Sequence, residues 1–275
     1  MKRRGTGLAV LVLCVIGGLI AAIFTPAIAA TLATPAAMAS ASPAAGATQT
    51  RPAAPTAAPV PTRAVTPAPT AQPTMPAGVT VLAQDSFQRN DQVHWGTASD
   101  HRTWSGDANN SPAFAIANKM GQVAGGQGQT AFQATLGDSS NDADLLISGS
   151  VSQFDANRVT NLGVILRWQD ANNWYKALIN GSQLQLLKDV GGKITVLAEH
   201  VFNATGDTQY SLRFRVQGSN LFARAWPSAR PEPAQWTIMN VDTQFTRGLS
   251  GIRVKILPGV LIKIHMYLET SIPNM

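Results

Sequence analysis

Tyr210-Ser211-Leu212-Arg213-Phe214-Arg215-Val216-Gln217, then Gly218-Ser219, then Asn220-Leu221-Phe222-Ala223-Arg224-Ala225-Trp226 is the stretch whose reading decides the fold. Leu212, Phe214 and Val216 alternate with Ser211, Arg213 and Arg215, so a strand here turns one apolar face to a core and one polar face outward. Gly218 and Ser219 supply a tight hairpin turn. That pairing sets Arg213 opposite Arg224, with Arg215, Phe222 and Trp226 on the same face.

Working outward, the same short alternating pattern recurs across 113–118, 145–154, 162–168, 174–180, 184–190, 193–200, 251–256 and 260–269. Asn180-Gly181-Ser182, Gly191-Gly192 and Pro258-Gly259 read as further hairpin turns. In the last segment Ile262, Ile264, Met266 and Leu268 fall on one side, and Lys263, His265, Tyr267 and Glu269 on the other. No long helical period appears. About ten such strands exceed what one twisted open sheet holds comfortably, so an all-β, two-sheet antiparallel β-sandwich is expected.

Upstream the composition changes. Lys2, Arg3 and Arg4 precede an apolar run from Leu8 to Phe24, followed by Thr25, Pro26 and Ala27-Ile28-Ala29. Basic, apolar and small-residue regions in that order describe a secretory signal, with cleavage expected after Ala29. An uncleaved anchor is the alternative, with membrane contact confined to residues 8–24. Residues 30–77 are mostly Ala, Pro and Thr, a composition that cannot bury enough surface to offset its ordering entropy. They read as a disordered linker, a stalk or a passive spacer, with roughly 3.1 Å of reach per residue where polyproline II holds. Residues 1–29, 30–77 and 78–275 are thus a signal or anchor, a linker and a folded domain. Signal or anchor, either places the domain in the secreted fraction or on the extracellular face of the cytoplasmic membrane.

The formal charge of +6 is uneven. Of 21 Lys and Arg, five precede Gly78, where no acid occurs, so the rest of the chain carries only +1. A nearly neutral domain argues against a nucleic-acid partner. The single cysteine, Cys14, lies in the apolar run, which excludes a disulfide framework and a Cys-based metal site.

Asp85-Ser86-Phe87-Gln88-Arg89, Trp95-Gly96-Thr97-Ala98 and Trp104 resemble the opening of bacterial secreted domains of the concanavalin A-like, laminin-G-like jelly-roll superfamily. Gly163-Val164-Ile165-Leu166-Arg167-Trp168, Asn173-Trp174-Tyr175, Leu184–Lys188, Tyr210–Phe214, Ala225-Trp226 and Glu232–Trp236 extend the resemblance over about residues 83–270. It implies a jelly-roll sandwich. It does not imply one activity, because the superfamily holds glycan-binding modules, hydrolases, lyases and interaction domains. His265, Met266, Tyr267, Leu268 and Glu269 stand where the family's last strand often carries Asp, which puts in question any metal site or strand contact built on those acids.

A glycosidase needs two carboxylates facing across a cleft, roughly 5 to 10 Å apart. Glucanases of similar fold carry Glu-x-Asp-x-x-Glu on one strand, whereas Glu199, Glu232 and Glu269 each stand alone here. Asp142 and Asp144 share a face but sit in a turn-rich approach to a strand. No nucleophile elbow, phosphate loop or histidine metal spacing is present. A non-catalytic binding domain is the expectation, its partner an extracellular glycan or cell-envelope polymer, with a structural or adhesive protein-interaction domain as the alternative and a glycoside hydrolase behind both.

Two candidate sites follow. Arg167, Trp168, Asp170, Asn172, Asn173, Trp174 and Tyr175 form a polar and aromatic loop able to bond hydroxyls and stack on sugar rings. The alternatives there are a Ca²⁺ held by Asp170, Asn172 and Asn173, and an ordinary Asx turn. The second is the Arg213, Arg215, Arg224 and Trp226 face, where like charges across a ladder need protein carboxylates, solvation or an acidic ligand to offset them. Arg253, Lys255 and Lys263 are potential extensions of that basic surface. Trp95 and Trp104 are expected to pack in the core.

Overall fold

The computed structural model describes residues 78–272. The signal, anchor and linker readings for residues 1–77, Cys14 included, lie outside the described residues.

Among the described residues, sixteen strands and one helical turn follow in order. The first group is β1 (Val81–Asp85), β2 (Gln92–Val93), β3 (Ser105–Gly106), α1 (Asp107–Asn110), β4 (Phe114–Ala117), β5 (Met120–Ala124) and β6 (Thr130–Thr135). The middle group is β7 (Ala143–Val151), β8 (Leu162–Asp170), β9 (Asn173–Ile179), β10 (Gln183–Val190) and β11 (Lys193–Val201). The last is β12 (Gln209–Gln217), β13 (Asn220–Pro227), β14 (Ile238–Val241), β15 (Leu249–Ile256) and β16 (Leu261–Thr270).

They form two antiparallel sheets. Sheet I runs β14-β13-β12-β7-β16-β5-β4-β2, with β1 also paired to β16, and sheet II runs β11-β10-β9-β8-β15-β6-β3. The chain is an all-β sandwich. Inward residues of both sheets, among them Leu145, Ile147, Leu162, Val164, Ala177, Leu186, Leu212, Phe214 and Ile252, make one core. The β12–β13 hairpin forms as its alternation dictates, with Arg213 opposite Arg224 and Arg215 opposite Phe222.

Two expectations are corrected. Pro258-Gly259 does not close a hairpin: β15 belongs to sheet II and β16 to sheet I, so this connection crosses between the layers. In β16 the simple alternation breaks. Its register with β7 shifts between Ile264 and Met266, where β5 pairing ends and β1 pairing takes over the same edge. One extra residue reverses which side faces in. Ile262 and Ile264 are buried before the bulge, and Tyr267 and Glu269, expected outside, are buried after it.

The opening motif is structural. Asp85, fully buried, accepts hydrogen bonds from Phe87 N, from Arg89 Nη1 at 2.8 Å and Nη2 at 3.0 Å, and from Trp104 Nε1 at 2.7 Å. Around it Phe87, Trp95, Trp104, Phe114 and Tyr267 pack edge to face or stacked. Trp95 and Trp104 are core residues, as expected.

Candidate functional site

The β8–β9 hairpin is tied inward. Arg167, at the bulge where β8 leaves register with β9, is 4% exposed. Its guanidinium donates to the carbonyls of Asn141, Phe245 and Gly218 and to Asp142 Oδ1. Tyr175 is fully buried, donates to Asp242 Oδ1 and accepts from Phe245 N. Burial and the Asp242 carboxylate push its phenol well above the usual range. Tyr175 therefore has no ring face for a sugar. The cause is strand parity: with Trp174 outward, Tyr175 points to the core.

Asp170 Oδ1 accepts from Asn172 N, and both its oxygens accept from Asn173 Nδ2. Asn173 Oδ1 in turn accepts from Gly191 N. This is an Asx turn, in which both Asp170 oxygens and Asn173 Oδ1 accept hydrogen bonds. Among the described residues, no three His, Cys, Asp or Glu side chains cluster as ligands for a metal ion. Trp168 is half-buried, and its indole N–H is buried without a partner.

On the outer face of sheet I, Arg213 Nε donates to Asp144 Oδ1 at 2.6 Å and its Nη1 reaches Glu232. Arg215 pairs with the same Asp144 and Arg224 with Glu232. The loop after β13 also lays Trp236 beneath Arg215 and Arg224, whose guanidinium carbons lie 5.1 and 4.3 Å from the ring centroid. Trp226 is buried. Each of these arginines thus pairs with a protein carboxylate, two acids serving three guanidiniums.

The groove lies elsewhere. On the outer face of sheet II a cavity of about 370 Å³ is lined by Trp174, Lys176, Leu178 and Asn180 of β9 and its turn. Gln185 and Leu187 of β10 flank it on one side, and Arg253 and Lys255 of β15 on the other. Asn157, Arg158, Val159 and Asn161, from the segment joining β7 to β8, complete the lining. That segment is pinned because Asp155 accepts from the backbone of Val159 and Thr160. Asn161 N bonds Lys255 O.

Parity builds the floor. Leu162, Val164, Tyr175 and Ala177 go to the core, leaving Ile165, Trp174, Lys176 and Leu178 outward, where Ile165, Trp174, Leu178 and Leu187 form a small apolar cluster. Lys176 is only 5% exposed. Its Nζ donates to Asn161 Oδ1 at 2.7 Å. Burial, then the charges of Arg253 and Lys255, hold that amine well below the usual lysine range. Arg253 lies 4.9 Å over the Trp174 ring, so one indole face is covered by a cation.

Four basic side chains, those of Arg158, Lys176, Arg253 and Lys255, and no carboxylate line the groove. Arg253 and Lys255 therefore do not extend the Arg213 face, since β15 belongs to sheet II; Lys263, on β16, belongs to sheet I. Lys176 was missed because a lysine in a strand reads as solvent-facing. The signal was there: its same-face neighbours, Trp174 and Leu178, are apolar.

No protein-family model matches the chain, and no curated protein sequence matches it. Solved structures do. The chain is similar to a xylan β-1,4-xylosidase from Bacillus halodurans C-125, at 11% identity over 74% of this chain and 41% of that one, with a TM-score of 0.51. It is also similar to a GH43 protein from Bacillus licheniformis, at 10% identity over 69% and 39%, with a TM-score of 0.51. Carbohydrate-binding module CBM66 from Bacillus subtilis aligns at 16% identity over 59% and 94%, with a TM-score of 0.45. The chain spans about two fifths of the length of the first two. At these identities the likeness defines a class by fold, the two-sheet β-sandwich, and transfers no activity.

Proposed function

We propose that this chain is an exported, non-catalytic glycan-binding protein whose binding surface is the sheet II groove. One observation carries the reading: a groove of about 370 Å³ with Trp174, Leu178 and Leu187 in its lining and the accessible amides of Asn157 and Gln185 beside them. Amides both donate and accept, which is what sugar hydroxyls require, and the volume falls in the usual range for ligand sites. Shared folds with a xylan xylosidase and a carbohydrate-binding module are consistent with this, but the reading rests on the groove. Non-catalysis is supported by the lack of a facing carboxylate pair among the lining residues. Export and display rest on residues 1–29 and 30–77, with extracellular glycan or cell-envelope polymer as the partner.

Retention of the full chain on a glycan array and on polysaccharide gels tests it. Arg158→Ala and Gln185→Ala, both accessible lining positions, are expected to weaken retention while thermal unfolding is unchanged. Unchanged retention removes the groove from the reading, and release of reducing sugar removes the non-catalytic assignment.

A protein-interaction surface is favoured by a different observation. β11 and β14 each lie at one edge of their sheet and carry exposed Ile194, Val196, Val201, Met239 and Val241. Exposed apolar edges invite partners. Val196→Lys reducing self-association or adhesion, with glycan retention intact, would favour that reading.

A further inference from the structure

The groove holds an imbalance that a neutral sugar does not answer. Lys176 lies at its floor, buried, with Asn161 Oδ1 as its hydrogen-bond partner. None of the ion pairs among the described residues includes Lys176, Arg158, Arg253 or Lys255. Asp189 and Asp107, neither of them in the lining, act on Arg253. Lys119, Lys193, Arg230, Arg247 and Lys263 also lie outside these ion pairs, but each is at least partly exposed, whereas Lys176 is buried.

The seat for Lys176 is also built. A Cβ at position 163 would overlap Lys176 Cε, so the glycine makes room for the lysine stem. Asn161, which aims the amine, has Nδ2 donating to Val159 O. A buried ammonium with no counter-charge is costly, and an arriving anion removes that cost while gaining charge-assisted hydrogen bonds.

We propose that the groove recognises an oxyanion carried on a sugar, a carboxylate or a sulfate ester, with Lys176 at its floor and Arg253 and Lys255 at its rim. The inference rests on the glycan reading for the sugar and goes beyond it for the charge. An anion beside Lys176 favours the charged amine and so opposes the downward shift that burial and the neighbouring cations impose, and binding is expected to tighten as pH falls from the ordinary lysine range.

The experiment titrates the full chain with two matched pairs: oligogalacturonate against its methyl ester, and dextran sulfate against dextran. At least about tenfold tighter binding of the charged member of one pair is expected, and that pair identifies the source of the anion. Lys176→Met, which keeps the stem and removes the amine, is expected to abolish the preference. Calorimetry in two buffers of different ionisation enthalpy should show proton uptake in the wild type and none in this variant. If Lys176→Met does not fold, Arg253→Gln and Lys255→Gln are expected to reduce the preference severalfold. Equal binding within both pairs overturns the charge inference and leaves the glycan reading standing. A preference that survives all three variants overturns the site. Binding of none of the four probes overturns the inference, and the glycan array then decides the broader reading separately.

Discussion

Gly163 of β8 lies against the aliphatic stem of Lys176 on β9, close enough that a Cβ would overlap Lys176 Cε and stand 2.8 Å from the Arg253 carbonyl oxygen. The lysine can bend aside, but the β15 backbone cannot. Gly163→Ala is therefore expected to lose about 1–3 kcal/mol in chemical denaturation, in the range for overpacking. A double-mutant cycle with Lys176→Ala should recover only the part owed to the lysine. Wild-type stability in Gly163→Ala would show that the two strands separate freely at this point.

Asp85 offers a second test. Its carboxylate accepts from Arg89, Trp104 and two backbone amides, so Asp85→Ala strands a half-buried guanidinium and a buried indole N–H together. A loss of about 3–5 kcal/mol is expected, with a change in tryptophan fluorescence from the Trp95–Trp104 cluster. A loss under 1 kcal/mol would mean that water replaces the carboxylate.

What could be read beforehand divides at parity. Where strands alternate without interruption, as from Tyr210 to Trp226, residue type alone assigned faces and even the Arg213–Arg224 pairing. Where a bulge intervenes, as at His265, the same rule assigned Tyr267 and Glu269 to the wrong side, because one residue without a partner leaves no compositional mark. The short strands β2 and β3 lack the length to show a period. Sheet membership is a long-range property, so Pro258-Gly259 looked like a hairpin although it bridges layers.

The candidate site followed the same division. Aromatic and polar density drew attention to Arg167–Tyr175, but density does not say which side chains their neighbours use up: Arg167 and Tyr175 are spent on loops that are distant in sequence. Trp174 alone of that group lines the groove. Lys176, Gly163 and Arg253 come together from three adjacent strands, and no local window contains them.

On sheet I, burial separates two acids that hold the same arginine. Asp144 is 2% exposed and serves Arg213 and Arg215, whereas Glu232 is 31% exposed and serves Arg213 and Arg224. Asp144→Ala leaves two guanidiniums facing one another's charge over a buried position and is expected to cost about 3 kcal/mol. Glu232→Ala is expected to cost about 1 kcal/mol or less, since solvent screens it. Urea midpoints of the two variants check the order, and neither variant should alter glycan retention if the groove is the binding surface.

Glu269 gives the fold a pH signature. Its carboxyl, buried between Ser250 Oγ at 2.6 Å and the Tyr267 hydroxyl at 3.3 Å, is pushed by burial from 4.5 up to about 7. Between those values the folded chain keeps a proton that the unfolded chain gives up, so stability falls as pH rises through that window and levels off above about 7. A shift of this size corresponds to about 3 kcal/mol. His265 acts against it: burial and Lys263 lower its pKa from 6.5, so its contribution is lost as pH falls through the same region. The difference between wild type and Glu269→Gln isolates the acid, because the histidine is common to both. The glutamine variant should gain on the wild type progressively from about pH 4.5 to about 7 and hold that gain at higher pH. A constant difference across that range would mean that Glu269 is ionised in its buried position, held there by Ser250, Tyr267 and the charge of Arg102.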